Sequence, residues 1–202
     1  FPTYRLTNSS GMVYRACVLA APLLIPLLYQ AGFGWSAVDA GAVMLWLFVG
    51  NIAIKPFTTP ILRAIGFRWM IGIATLVVAA TFVAFAALPA ATPVVLTCAV
   101  MLVSGVARSI GFTGYVTIQF ADVPKELMTG ANTLASTFVQ LSHGLGVAFA
   151  AASIAVIELA TAGGPELAVR ASFVLLAAIL VVSLVGVLRL PRDAGAHVRA
   201  RG

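Results

Sequence analysis

The chain reads as an all-α integral membrane protein, a bundle of six transmembrane helices. Three observations predict this. Of its 202 residues, 61% are hydrophobic and only 9% are charged, whereas soluble domains carry about 25% charged residues. Six apolar runs follow one another, each near the ~20 residues that a helical crossing needs. The basic residues fall almost entirely on one side of the topology these runs imply. A water-soluble globule of this size would need a polar coat that the composition cannot supply. Disorder, collagen, disulfide scaffolds and nucleic-acid modules are excluded at the same step.

Residues 1–11 read as a cytoplasmic lead-in. Their opening, Phe1-Pro2-Thr3-Tyr4-Arg5, carries no signal-peptide pattern and suggests a fragment whose N-terminal part is missing. The first span covers 12–31, after Thr7-Asn8-Ser9-Ser10-Gly11, which offers N-cap side chains. The second, 37–62, is entered through Gly34-Trp35-Ser36, and the third, 69–88, is ended by Pro89-Ala90-Ala91-Thr92-Pro93. The fourth, 94–120, closes at Asp122-Val123-Pro124-Lys125-Glu126. The fifth, 127–158, is followed by Gly163-Gly164-Pro165. The sixth, 170–189, leads into a polar cytoplasmic tail, 190–202.

An even number of spans puts both ends of the chain on one side. There lie Arg5, Arg63, Arg68, Lys125, Arg189, Arg192, Arg199 and Arg201, against Arg170 alone on the other. This bias makes both ends cytoplasmic and the inner (plasma) membrane the expected location. The net charge of +6 would suggest nucleic acid in a soluble protein, but here its placement describes a topology. Cys17 and Cys98 sit within apolar runs, so neither reads as a disulfide partner or metal ligand. No metal site or cofactor is expected.

Polar side chains within a bilayer face a bundle interior or a watery cavity, and four spans carry them as stripes. The first aligns Arg15, Pro22, Pro26 and Gln30; the second Asn51, Lys55 and Thr58. The fourth has Ser104, Arg108, Gly111, Tyr115 and Gln119 at helical spacing, and the fifth Asn132, Ser136, Gln140 and His143. The third and sixth are bland. Spans one, two, four and five are therefore expected to surround an aqueous path, with three and six outside. Pro22 and Pro26, and again Pro56 and Pro60, stand four apart and should kink their helices, a feature of transporters as well as of membrane helices in general.

Single residues leave alternatives open. Arg108, near mid-span, is costly to bury, at ~2.5–3.5 kcal/mol or more. It is retained for an anionic substrate, for a partner carboxylate, or as a clamp on backbone carbonyls. His143 can titrate near neutral pH or be a hydrogen-bonded packing residue. Arg15 and Lys55 lie toward the cytoplasmic ends of their spans and should snorkel. Gln30, Asn132 and Gln140 suit substrate contact or capping equally, and Tyr115 could offer an aromatic surface to an amphipathic compound. Asp39, Asp122, Glu126, Glu158, Glu166 and Asp193 all lie in loops, in the tail or at span edges. A proton-coupled exporter of cations needs an intramembrane carboxylate, and these spans have none. Enzyme readings fail for want of a zinc motif, a nucleophile set or a phosphate loop.

The runs Pro22-Leu23-Leu24-Ile25-Pro26-Leu27-Leu28-Tyr29-Gln30-Ala31-Gly32-Phe33-Gly34-Trp35-Ser36 and Asp39-Ala40-Gly41 resemble the first hairpin of the C-terminal half of a major facilitator transporter. More narrowly, they are similar to the fourteen-span drug:proton antiporter branch. Arg63-Ala64-Ile65-Gly66-Phe67-Arg68 resembles a degenerate copy of the superfamily's cytoplasmic loop motif. Gly105-Val106-Ala107-Arg108-Ser109 and Gln140-Leu141-Ser142-His143-Gly144-Leu145-Gly146 fit as well. The resemblance implies the second of two six-helix bundles, itself a 3+3 inverted repeat, supplying half of a midplane site. Its partners would be the lipid bilayer, the missing N-terminal bundle, an amphipathic small-molecule substrate and protons. The implied activity is proton-coupled multidrug efflux by alternating access. The proton carrier would then be His143 or lie in the missing half. Export of an anionic or amphipathic metabolite is the alternative, and a non-transporting membrane anchor or receptor bundle is the alternative of another class.

Overall fold

The computed structural model describes residues 2–120, 123–161 and 163–188, and every regular element among them is helical. Helix α1 spans Pro2–Leu27 and runs on into a π-helical turn, Leu28–Gly32. The expected start near residue 12 is thus too late. Pro2 suits a first helical turn, where its missing N–H costs nothing. Thr7–Gly11, expected as capping residues, stay helical because this turn is packed: Ser10 is buried and Gly11 abuts the Tyr115 ring. Phe33 N–H donates to Leu28 O at 3.0 Å and Trp35 N–H to Tyr29 O at 2.9 Å, closing the helix end.

Helix α2 is Ala37–Ala53. The Ser36 hydroxyl caps it, accepting from Asp39 N–H at 3.1 Å. It stops ahead of Pro56, and a 3₁₀ turn, Lys55–Phe57, leads into α3, Thr58–Ala87. Within α3, Gly66 stands at φ 77° and ψ 166°, a conformation that glycine adopts readily and other residues do not. Among the described residues, five helical stretches are long and apolar enough to cross a membrane: Ser9–Gly32, Ala37–Ala87, Val94–Gln119, Met128–Thr161 and Gly164–Val187. The second has 51 residues, about 76 Å of helix at 1.5 Å per residue, more than twice the ~30 Å hydrocarbon thickness.

That stretch doubles back. Helix α4, Val94–Gln119, meets both of its halves at one level. Gly105 is pressed on the Leu47 carbonyl, while the adjacent Ser104 Oγ accepts from Thr81 Oγ1 at 3.1 Å. Residues 47 and 81 therefore lie at the same depth, and the chain reverses between them at the Gly66 turn. The polar loop expected at 63–68 is in fact helical on both sides of a single glycine.

A second 3₁₀ turn, Lys125–Leu127, precedes α5, Met128–Thr161. Helix α6 is Gly164–Leu188 and begins six residues before the sixth expected span, because the Gly163-Gly164-Pro165 break is itself the helix start. Arg189, the tail 190–202 with Asp193 and His197, and Asp122 lie outside the described residues. Helix α4 packs on α2, α3 and α1; α6 packs on α3 and α1; α5 packs on α1 and α6. Two helix pairs approach backbone to backbone. A Cβ at Gly50 would collide with the Leu102 carbonyl, and one at Gly105 with the Leu47 carbonyl. Between α5 and α1, Gly146 sits against the Ala16 carbonyl in the same way. Small residues allow such approach where lipid removes the hydrophobic drive between helices. The bland helices α3 and α6 join through Phe82, Phe85 and Phe173, whose rings lie 5.5–5.6 Å apart.

Candidate functional site

The four polar stripes do not converge on one path. That of α4 turns into the bundle, toward α1 and α3. Ser104, Arg108, Tyr115 and Gln119 are all buried, Arg108 to 3% exposure. The Arg108 guanidinium lies over the Phe82 ring at 5.6 Å, an attraction that partly replaces hydration. Tyr14 OH donates to the Arg108 carbonyl at 3.3 Å, and its ring lies 5.1 Å from that of Tyr115. A Cβ at Gly111 would meet the Tyr14 hydroxyl, so a larger residue there would require the Tyr14 ring to shift.

Arg15 does not snorkel. Its side chain is fully enclosed, with Nη2 donating to Gln119 Oε1 at 3.0 Å and the guanidinium 5.7 Å from the Phe112 centroid. The Gln119 acceptor and the aromatic face hold it inside the protein, where the sequence offered only the option of reaching water. Nε and Nη1 of Arg15, and Nε and Nη2 of Arg108, meet no acceptor among the described residues. The described acids Asp39, Glu126 and Glu158 are exposed, and Glu166 is half-exposed, so none enters this core. The interior therefore holds two enclosed guanidiniums with donors left over after their contacts with the described residues.

The stripe of α5 is turned outward. Asn132, Ser136, Gln140 and His143 are exposed. The buried face of α5 is built from Ala135, Ser142, Gly146, Ala150 and Ser153. At ~100° per residue the two faces stand roughly 90° apart. Ser153 Oγ donates to Ser172 Oγ at 2.9 Å, fixing α5 on α6 and thereby the direction of the stripe. Gln30 is exposed on the π-helical turn, and Asn51 is half-buried where α2 crosses α4. Lys55 is exposed and reaches Thr113 Oγ1 at 3.5 Å. The structure thus separates the candidates: Ser104, Arg108 and Tyr115 in the core, and Gln30, Asn132, Ser136, Gln140 and His143 on an open face.

Of the prolines, Pro22 and Pro26 remain within α1 just before the π-helical turn, while Pro56 lies within the 3₁₀ turn and Pro60 in the first turn of α3. Arg63 is exposed, and Arg68 is half-buried on the far side of the Gly66 turn.

One cluster was missed from the sequence. Arg170 of α6 pairs with Glu166 at 2.9 Å, donates to the carbonyls of Ala86 and Leu88 at the end of α3, and stacks on Phe33 at 5.2 Å. It caps the C-terminus of α3, where a cation offsets the helix dipole, and binds that end to the α1–α2 hairpin. Its spacing of four from Glu166 was a readable signal. The carbonyl partners were not. Among the described residues, no three of His, Cys, Asp and Glu gather as a metal site.

No family model matches the chain, and no solved structure matches it. Curated relatives do, among them several with the name "Putative multidrug resistance protein MdtD". That of Pectobacterium carotovorum subsp. carotovorum is 29% identical over 148 residues, 73% of this chain and 32% of the relative. That of Serratia proteamaculans is 28% identical over 148 residues, 73% of this chain and 31% of the relative. The Cronobacter sakazakii protein is 31% identical over 129 residues, 64% of this chain and 27% of its own. The matched stretch spans about a third of the length of these relatives. The similarity supports the resemblance to drug-exporting membrane transporters drawn from the sequence.

Proposed function

We propose that this chain, a relative of the multidrug resistance proteins just described, is the C-terminal six-span bundle of a major facilitator transporter. In this reading it is half of a proton-coupled multidrug exporter working by alternating access, of the fourteen-span antiporter branch. The observation that carries the reading is the similarity to those proteins over most of this chain and about a third of theirs.

Packing supports the architecture. With the reversal at Gly66 counted, six crossings result, and two of their main contacts correspond under exchange of the first three helices with the last three, whereas the packing of α5 on α6 has no counterpart between α2 and α3. The contact of α5 on α1 corresponds to α2 on α4, and α6 on α1 to α3 on α4. Gly146 against α1 matches Gly50 against α4. A 3+3 inverted repeat has this pattern. The open polar face of α5, with Gln30 on α1, is then the wall turned to an N-terminal bundle, and an amphipathic substrate would lie between them near the midplane. Arg63, Arg68 and Lys125 lie at the ends of the bundle that the positive-inside rule makes cytoplasmic, as both ends of the chain would be in the inner membrane. His143 on the open face, or a carboxylate of the other bundle, would carry the proton.

A second reading, export of an anionic metabolite, is favoured by the unsatisfied guanidinium donors of Arg15 and Arg108. An anchor or receptor bundle has no need to hide two arginines. The test is accumulation of a cationic dye in cells expressing the full-length protein that carries this chain, the 202-residue chain alone, or an empty vector. Only the full-length protein should lower accumulation, reversibly on collapse of the proton gradient. Candidate anions exported in place of the dye would establish the second reading, and export of neither would leave the anchor.

A further inference from the structure

Helices α2 and α4 touch backbone to backbone at Gly50 and Gly105. Between their N-terminal turns they leave a pocket of about 470 Å³, reached by Asp39 of α2 and Val94 of α4. That volume is within the range of small-molecule sites. Asp39 and Val94 stand roughly 12–16 Å of helix from the crossing, on the side away from the Gly66 turn. Helix α5, whose open face carries Gln140 and His143, packs on α1 and α6. The pocket belongs to the other flank of the bundle.

Its walls combine aromatic faces with one charge. Trp35 and Trp46 both line it. Trp35 is held by the Tyr29 ring at 4.9 Å, and Trp46 is 44% exposed. Asp39 brings a carboxylate, fixed by the Ser36 hydroxyl, which donates to Oδ2 at 2.6 Å. Among the described residues no cation pairs with Asp39. Trp46, Val94 and Cys98 also border a second groove of about 310 Å³. It continues along α4 past Val95 to Leu102 with a wholly apolar lining, roughly 10 Å of helix. The two helix N-termini oppose a cation by about half a charge each, less what water screens at exposed ends. The full charge of Asp39 and two indole faces, the best aromatic surface for an organic cation, outweigh them.

We infer that this pocket binds a monovalent alkylammonium, its head between Trp35, Trp46 and Asp39 and its chain in the groove along α4. The site is separate from the half-site proposed between two bundles, and it does not rest on what is transported.

The chain has two cysteines, and they divide the work of a test. Cys98 is half-buried and lines both cavities, whereas Cys17 is buried in the core. In maltoside micelles, the rate at which N-ethylmaleimide labels Cys98 is followed against octyltrimethylammonium, with Cys17 unlabelled while the bundle stays folded. Octyl sulfate is the anion of equal chain length, and choline is the head without the chain. Octyltrimethylammonium should protect Cys98 at a concentration at least about tenfold below choline, because only it fills the apolar groove. Asp39→Asn should raise its half-protecting concentration about fivefold, and Trp46→Leu about threefold. Trp69→Leu, beyond the Gly66 turn, should leave it unchanged. Equal protection by octyl sulfate would overturn the inference, as would protection unmoved by Asp39→Asn or by Trp46→Leu. A Cys98 that is unreactive without ligand would show the pocket closed and overturn it too. Full protection by added phosphatidylethanolamine, with none gained from octyltrimethylammonium, would put a lipid headgroup there instead and equally overturn it.

Discussion

The closest test of the packing is Gly105→Ala. On an open helix this change stabilises, since alanine is favoured over glycine by about 1 kcal/mol. At Gly105 the new methyl would occupy the Leu47 carbonyl oxygen, with the Asn51 amide nitrogen close behind. Both obstacles are backbone, so no rotamer change relieves them. Helices α2 and α4 must separate, and the crossing also loses the reciprocal fit at Gly50. Overpacking of this kind costs about 1–3 kcal/mol or more, and lost Cα–H···O contacts add about 0.5–1 kcal/mol each. Against the propensity gain, the net is a destabilisation of about 2 kcal/mol. For a chain of this length that is roughly 4–8 °C in Tm. Gly144 is the control: it is helical, with nothing within 4 Å of its Cβ position, so Gly144→Ala should hold or raise Tm. A thiol-reactive dye reads both variants, because Cys17 is buried and becomes reactive on unfolding. Gly105→Ala at or above the parental Tm, in line with Gly144→Ala, would refute the backbone-to-backbone crossing.

Three further outcomes follow from the same geometry. Arg170→Ala removes an ion pair and two carbonyl caps and should lower stability by about 2 kcal/mol, with Arg170→Lys recovering less than half because it lacks the planar fork; a Tm unchanged in Arg170→Ala would dismiss the clasp. In the full-length protein, Arg108→Ala should abolish anion export if Arg108 binds substrate, and Arg108→Lys should weaken it. If Arg108 pairs with the other bundle or clamps backbone, Lys should retain dye export while Ala lowers protein level. Full activity and expression of Arg108→Ala with every substrate would remove Arg108 from the site. A cysteine at Arg68 should react with impermeant thiol reagents from the cytoplasmic side alone, and one at Ala91 from outside alone; labelling of Arg68→Cys in intact cells would reverse the topology.

Hydrophobic run length made the helices legible, because bilayer thickness imposes it on any crossing. The cap at Ser36 and the stop before Pro56 follow local chemistry and were readable too. What the stripes face was not. Helical spacing puts Ser104, Arg108 and Tyr115 on one side of α4 and Asn132, Ser136, Gln140 and His143 on one side of α5. Nothing in either periodicity says that the first side meets Tyr14 and Phe82 while the second is exposed. Arg15 illustrates the limit: its burial depends on Gln119 and Phe112, more than 90 residues away. The glycines at the helix crossings were equally silent, since Gly105 and Gly144 differ only in what lies opposite them.

The most direct test of the account is proton-driven export by the full-length protein, purified into liposomes with an imposed pH gradient and a cationic dye. Dye should move against proton flow, and Gln140→Ala on the open face should slow it while Tm holds, since Gln140 is exposed in this bundle. Dye movement indifferent to the pH gradient and to Gln140→Ala, or no movement at all, would contradict it.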